Sequence, residues 1–284
     1  MPENPTFDAI GFAGGGNRCY WQSGFFQSLN ATHPVKPKYY VAVSAGAYHC
    51  VMNVAGVGER VREAAFSFAE RGLPGLDWSK LRMRQSPLVV GALFRQLLTE
   101  QFGTAELAAL KAAPPILIQL SRPPAWMPGG LAAIGSIAAY QLEKAVTSGV
   151  HSRAGGYLGL KPTWISTHDI EAPADLVDAI MATSSVPPFM PIGRIRGVAH
   201  LDGGLVDNPP LRKLAETERQ GGRTLLLSTR YGRPPPHAPN RHVVSPSEDL
   251  PVNKFAVGDA KGLCHAFELG LRDGAAFAKT LATA

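Results

Sequence analysis

Apolar positions in the first sixty residues fall into two short runs, each followed by a glycine- or serine-containing turn and then by a helical repeat. Phe7 to Phe12 is a compact apolar run that reads as a strand, and Ala13 to Gly16 is a glycine turn. Trp21, Phe25, Phe26 and Leu29 then recur at helical spacing across Asn17 to Leu29. The order repeats as a strand at Tyr39 to Val43, a sharp turn at Ser44 to Gly46 and a helix at Ala47 to Val57. Two strand–turn–helix units in succession predict a parallel sheet.

From Glu59 to Ala113 the pattern is mainly helical and amphipathic, broken at Gly72 to Gly75 and ended by Pro114-Pro115, which suits a cap over the sheet. Ile116 to Leu120 reads as a third strand, Ser121 to Gly130 as a Pro- and Gly-rich loop, and Leu131 to Thr147 as a helix. Further on, Thr163 to Thr167 and Gly197 to Leu201 read as strands flanking a helix at Ala174 to Thr183. Thr224 to Thr229 is the last predicted strand, followed by a Pro-rich loop at Gly232 to Pro239 and a helix from about Phe255 to Leu281. No internal repeat is visible, and the 284 residues are expected to form one domain.

Composition narrows the class. With 45% apolar and 18% charged residues the chain is globular rather than disordered. The net charge of +6 favours an anionic surface such as a membrane, but the cations are dispersed. No nucleic-acid-binding motif appears, so nucleic acid is not an expected partner. Cys19, Cys50 and Cys264 have neither disulfide-framework nor zinc-site spacing and read as small core residues. The N-terminus lacks the basic and apolar regions of a signal peptide, and the run Leu131 to Tyr140 is shorter than the roughly 20 residues of a membrane span. A cytoplasmic protein is expected, with peripheral membrane association or non-classical export as alternatives.

Three places can carry chemistry. Gly14, Gly15 and Gly16 allow backbone amides to converge on a phosphate or an oxyanion, or form only a tight turn. Both nucleotide-binding patterns fail, since Asn17 stands where a P-loop needs Lys and Cys19 where the dinucleotide fingerprint needs Gly. In AVSAG, Ala42 to Gly46, Ser44 sits between strand and helix as a nucleophile does in a strained elbow, or as an ordinary helix cap. A nucleophilic serine needs a base. His237, His242 and His265 do not occupy a loop just after a strand, whereas Asp202 follows one directly and precedes Gly203-Gly204. Asp202 is therefore the better base, with an Asp-Gly turn as the plain alternative.

AGGGNR (Ala13 to Arg18), AVSAG and DGG (Asp202 to Gly204), in this order and at these element boundaries, resemble the patatin-like phospholipase family. ATSSVPPFMPI (Ala182 to Ile192) and DNPP (Asp207 to Pro210) are similar to its segments around the aspartate strand, and the likeness covers about Phe7 to Leu211. Ala42 departs from the elbow pattern, replacing its first glycine. The resemblance implies a three-layer α/β/α fold with a mainly parallel central sheet and a helical cap insertion, placed at about 77–156. It implies a Ser–Asp dyad of Ser44 and Asp202, an oxyanion hole from Gly14, Gly15 and Gly16, and supporting roles for Ala45, Gly46, Gly203 and Gly204. Arg18 would fix the glycine loop or touch an anionic head group. No metal or cofactor is implied, and the substrate would be a phospholipid or related acyl ester. A carboxylesterase of small soluble esters and a catalytically silent lipid- or protein-binding module are the alternatives, with a phosphate-binding protein more distant. In the segment 77–156, Trp126 and Met127 suit a lipid surface, although residue type favours a buried loop side chain at Trp126.

Overall fold

A computed structural model describes residues 7–71, 89–127, 130, 135, 159–187, 189–254, 256 and 258–282. The two N-terminal units form as their periodicity predicts. Strand β1 (Ala9–Phe12) leads through the 3-10 turn Gly16–Cys19 into α1 (Tyr20–Thr32), and β2 (Tyr39–Val43) leads directly into α2 (Ala45–Val54). Helices α3 (Gly58–Glu70), α4 (Val90–Gln101) and α5 (Thr104–Ala112) follow, then β3 (Ile116–Arg122), β4 (Lys161–Ser166) and α6 (Pro173–Thr183). The chain continues through β5 (Gly193–Ile195), β6 (Val198–Asp202), α7 (Leu211–Arg219), β7 (Thr224–Leu227), β8 (Arg241–Val244) and α8 (Ala260–Ala282).

Five strands, β8-β7-β1-β2-β3, lie parallel in that spatial order. Alternate residues serve opposite faces, as the two-residue period of a strand requires. Ile10, Phe12, Tyr40 and Ile118 enter the main core with α1, α2, α6 and α8, whereas Ala9, Val41 and Leu226 pack against Leu214 of α7. The fold is thus a three-layer α/β/α arrangement around a mainly parallel sheet.

The register of β3 decides where the site forms. Residues Leu117 to Arg122 pair with β4 along one edge of β3, so β2 and β6 must share the other. β2 runs parallel to β3 and ends with Val43 opposite Gln119, while β6 runs antiparallel and ends with Asp202 opposite Leu120. The C-terminal ends of β2 and β6 therefore meet head-on along one edge. Ser44 cannot continue into the space that β6 occupies, and the chain turns out of the sheet there.

Several boundaries differ from the sequence reading. Ser121 and Arg122 are strand, not loop, because both pair with β4 and Ser121 also pairs with β6. Thr224–Leu227 is not the last strand: the polar segment Arg241–Val244 gains its conformation from pairing with β7, which no local pattern announces. His242 accordingly lies in a strand. Strand β5 and helix α7 also escaped the sequence reading. The predicted helix at Leu131 to Thr147 and the break at Gly72 to Gly75 lie outside the described residues, apart from residue 135. Within 77–156, β3 belongs to the centre of the sheet rather than to a cap. Cys19 and Cys50 are buried as expected, but Cys264 is only half-buried.

Helices α1 and α8 approach until backbone meets backbone. A Cβ on Gly24 would strike the Phe267 carbonyl, one on Gly270 the Trp21 carbonyl, and one on Gly274 the Phe25 carbonyl. Trp21 Nε1 also donates to Asp273 Oδ2 across this seam at 2.7 Å. Gly270→Ala improves helix propensity by about 1 kcal/mol but overpacks the seam by about 1–3 kcal/mol. Because the atoms on the far side are backbone, the steric cost dominates, and urea unfolding of Gly270→Ala should show a lower midpoint than wild type.

Candidate active site

Ser44 sits at the elbow with φ 56° and ψ −139°, a backbone region that a residue with a Cβ occupies at a cost of about 1–3 kcal/mol. The surroundings hold it there. Its amide donates to Thr183 Oγ1 at 2.9 Å, and that hydroxyl donates to the Gln119 carbonyl at 2.5 Å. Gly46 lets the first turn of α2 lean on the end of β1, since a Cβ there would lie 2.5 Å from the Ala13 carbonyl oxygen. Ala42, in place of the elbow's first glycine, is fully buried in the core, so its methyl group is accommodated by packing.

The side chain of Ser44 makes no cap on α2. Its Oγ instead donates to Asp202 Oδ2 at 2.6 Å. The other carboxylate oxygen, Oδ1, accepts from the Gly204 amide at 2.7 Å, and the Asp202 backbone is held by Ser185 and Ser121. Asp202 is buried, and burial pushes its carboxyl up to about 6, against the opposing hydrogen bonds from Ser44 and Gly204. Gly203 packs where a Cβ would meet the Gln119 carbonyl and come within 2.8 Å of Val43 Cγ2, which is how β6 can abut β2.

The glycine loop lies beside this pair. A Cβ on Gly14 would sit 2.9 Å from Ser44 Cβ, and Gly16 has a left-handed φ of 59°. The Gly14 amide, expected to face an oxyanion, instead donates to Asn208 Oδ1 at 2.9 Å, and the Gly15 amide lies near the buried Cys19 thiol. Gly16 lines a pocket together with Ser44, Ala45 and Asp202. Asn17 and Gln22 tie the loop to the rest of the fold: Asn17 Nδ2 donates to the Asn253 and Ala256 carbonyls, and Gln22 Nε2 to those of Ala13 and Leu227. Arg18 is half-buried next to this loop and does not line the pocket.

The pocket is about 180 Å³, and beyond Ser44 its walls are mainly apolar, formed by Phe68, Leu93, Phe94, Leu97, Met190 and Leu263 among others. His49 also lines it, but its Nδ1 is engaged with Ser23 Oγ at 3.1 Å and burial pushes the imidazole down to about 3, so it stays neutral. His237, His242 and His265 neither line the pocket nor bond to Ser44 or Asp202.

Thr183, Gln119 and Asn208 escaped the sequence reading as individual residues. Gln119 did carry a signal: it is a lone amide inside the apolar strand ILIQLSR, and a buried polar group needs partners. Its Nε2 donates to the carbonyls of Gly203 and Asp207, which pins the loop after Asp202.

A parallel α/β sheet with its glycine turn, serine elbow and buried carboxylate gathered at the C-terminal strand ends is the layout in which such folds bind and transform small molecules. The profile of the family described as Patatin-like phospholipase matches residues 11–215, from within β1 to within α7. The chain belongs to the patatin-like phospholipase family, whose members are in general lipid acyl hydrolases. No curated protein matches the chain significantly. Among the described residues no helix is long and apolar enough to cross a membrane.

Proposed function

We propose that the chain is a serine acyl hydrolase that cleaves carboxylic ester bonds of phospholipids or related lipids through Ser44 and Asp202. The observation that carries this reading is the 2.6 Å hydrogen bond from a strained serine to a buried carboxylate, both lining a mainly apolar pocket. An isolated hydroxyl is a weak nucleophile, and a desolvated carboxylate is basic enough to take its proton. As Ser44 Oγ bonds to the acyl carbon, its proton passes to Asp202 Oδ2. Collapse of the tetrahedral intermediate breaks the ester C–O bond, and the alcohol leaves with that proton. Asp202 then takes a proton from water, whose oxygen attacks the acyl-serine; the bond from the acyl carbon to Ser44 Oγ breaks, Oγ takes the proton back from Asp202, and the fatty acid leaves.

Gly16 and Ala45 line the pocket beside Ser44, and their backbone amides are the donors assigned to the oxyanion. Losing one such donor costs about 2.7–4 kcal/mol of barrier. Gly14 serves instead to hold Asn208 and to leave room for Ser44 Cβ. The apolar wall favours an acyl chain over a small polar acid. The strained Ser44, whose side chain makes no cap on α2, favours a working nucleophile over a silent binding module.

The pH dependence follows from the base. Asp202 must be ionised to accept the proton, so kcat/KM on a soluble ester should rise through about pH 6 and level off above it. Incubation with a fluorophosphonate should modify Ser44, located by peptide mass spectrometry. Failure of wild type to hydrolyse any ester of a graded acyl series, together with no label on Ser44, would remove this reading.

A further inference from the structure

The end of the sheet that carries Ser44 also carries a cationic, partly apolar face. β2 and β3 are parallel, so Ser44 and Arg122 emerge at the same end. β4 runs the opposite way and starts there, with Lys161 opposite Arg122. The β5–β6 hairpin reaches furthest. From the pairing of Ser121 with Leu201, Val198 stands three residues, or roughly 10 Å, beyond Ser121. Its turn places Arg196 and Gly197 at positive φ, 50° and 79°, the two-residue geometry that suits a tight hairpin.

Arg194 and Arg196 are exposed on this hairpin, as are Arg122 and Lys161 beside it. In 116–127, 159–163 and 189–202 the only carboxylate is Asp202, which is buried. Four exposed cations thus stand at this end of the sheet, with no exposed acid in these segments. Large apolar side chains stand in the same region. Trp126, for which residue type favoured burial, is 78% exposed, and Val198 is 39% exposed. The Trp126 loop is anchored here, because Met127 packs on the small cluster of Leu160, Leu201, Leu205 and Val206.

We infer that this face docks the enzyme on an anionic phospholipid bilayer, with Trp126 and Val198 entering the headgroup layer while Arg122, Lys161, Arg194 and Arg196 meet lipid phosphates. An exposed tryptophan amid cations suits the membrane interface, where an apolar ring body and nearby charge are both satisfied. The assignment rests on the proposed lipid substrate, which would be drawn from the same surface. Its distinctive claim is local: the docking comes from this end of the sheet and not from the overall charge of +6.

The test uses the Ser44→Ala chain, so that lipid turnover does not intrude, and measures co-sedimentation with phosphatidylcholine vesicles with and without phosphatidylglycerol. Binding should require the anionic lipid and weaken with added salt. Arg194→Glu/Arg196→Glu should weaken it at least about tenfold, given what each basic residue contributes near an anionic surface. Lys36→Glu/Lys111→Glu changes the net charge equally at the opposite end of the sheet and should leave binding near that of the parent. Trp126→Ala should weaken it several-fold, and thermal melts check that each variant is folded. Equal loss in both double variants, absence of binding to anionic vesicles, or binding to an oligonucleotide in preference to vesicles would overturn the inference. Soluble-ester hydrolysis by wild type is scored separately: its failure would remove the proposed catalysis and leave the vesicle result to be judged by itself.

Discussion

Asp202→Asn is expected to abolish ester turnover and, at pH 8, to make the protein more stable. The loss follows from removing the proposed acceptor of the Ser44 proton; general-base catalysis contributes about 10²–10⁴-fold. The gain follows from burial. The carboxyl sits at about 6 in the folded chain against an ordinary value of 3.8, so the folded state binds its proton more tightly than the unfolded chain does. Stability from this group is then complete below about pH 4 and is lost as the pH rises through about 6. At pH 8 the folded protein carries a buried charge that it would be better without. A shift of roughly two units corresponds to about 3 kcal/mol, an upper bound because the new amide must find its own partners. Melting curves at pH 8 and pH 4.5 should show an Asn variant that is the more stable at the higher pH, with the advantage shrinking at the lower. Retained turnover, or a variant less stable than wild type at pH 8, would mean that Asp202 is not a desolvated base.

Ser44→Ala and Ser44→Gly should both lose turnover completely, since neither retains Oγ, yet they should differ in stability. Alanine keeps a Cβ at φ 56° and therefore keeps the strain. Glycine occupies that region freely, which releases about 1–3 kcal/mol, against a chain-entropy cost of roughly 0.5–1 kcal/mol. The balance favours the glycine variant by about 1 kcal/mol, readable as a higher urea midpoint. Both variants also withdraw the hydroxyl that holds the Asp202 carboxyl down, so its proton should bind more tightly still. An alanine variant as stable as the glycine variant would show that the elbow is unstrained; an alanine variant with residual turnover would show that another residue attacks the ester.

The N-terminal half of the sheet was legible because each element there is local. The apolar runs ending at Phe12 and Val43, the turns that follow them and the helical spacing of Trp21, Phe25 and Leu29 need no partner to be recognised. β8 was not legible, because RHVV is a strand only through its pairing with β7. The carrier residues were legible too, as a serine after one apolar run and an aspartate after another. Their supports were not. Thr183 and Asn208 act through hydrogen bonds to Ser44 and Gly14, residues 139 and 194 positions away in the chain, and nothing in local composition marks such a bond. The glycine loop shows the same limit, since three adjacent glycines look alike until Asn208 is seen to take the amide of the first.

The sequence by itself determined the two strand–turn–helix units and the glycine turn, and marked Ser44 and Asp202 as candidates, because periodicity and turn chemistry are properties of neighbouring residues. The tertiary structure alone decided that these two side chains meet. β3 pairs with β4 along one edge, so β2 and β6 end face to face along the other, and Ser44, just past β2, meets Asp202, the last residue of β6, at 2.6 Å across a gap of 158 positions. Burial at that junction then raised the Asp202 carboxyl to about 6, a change that depends on what surrounds the group and not on what precedes it in the chain.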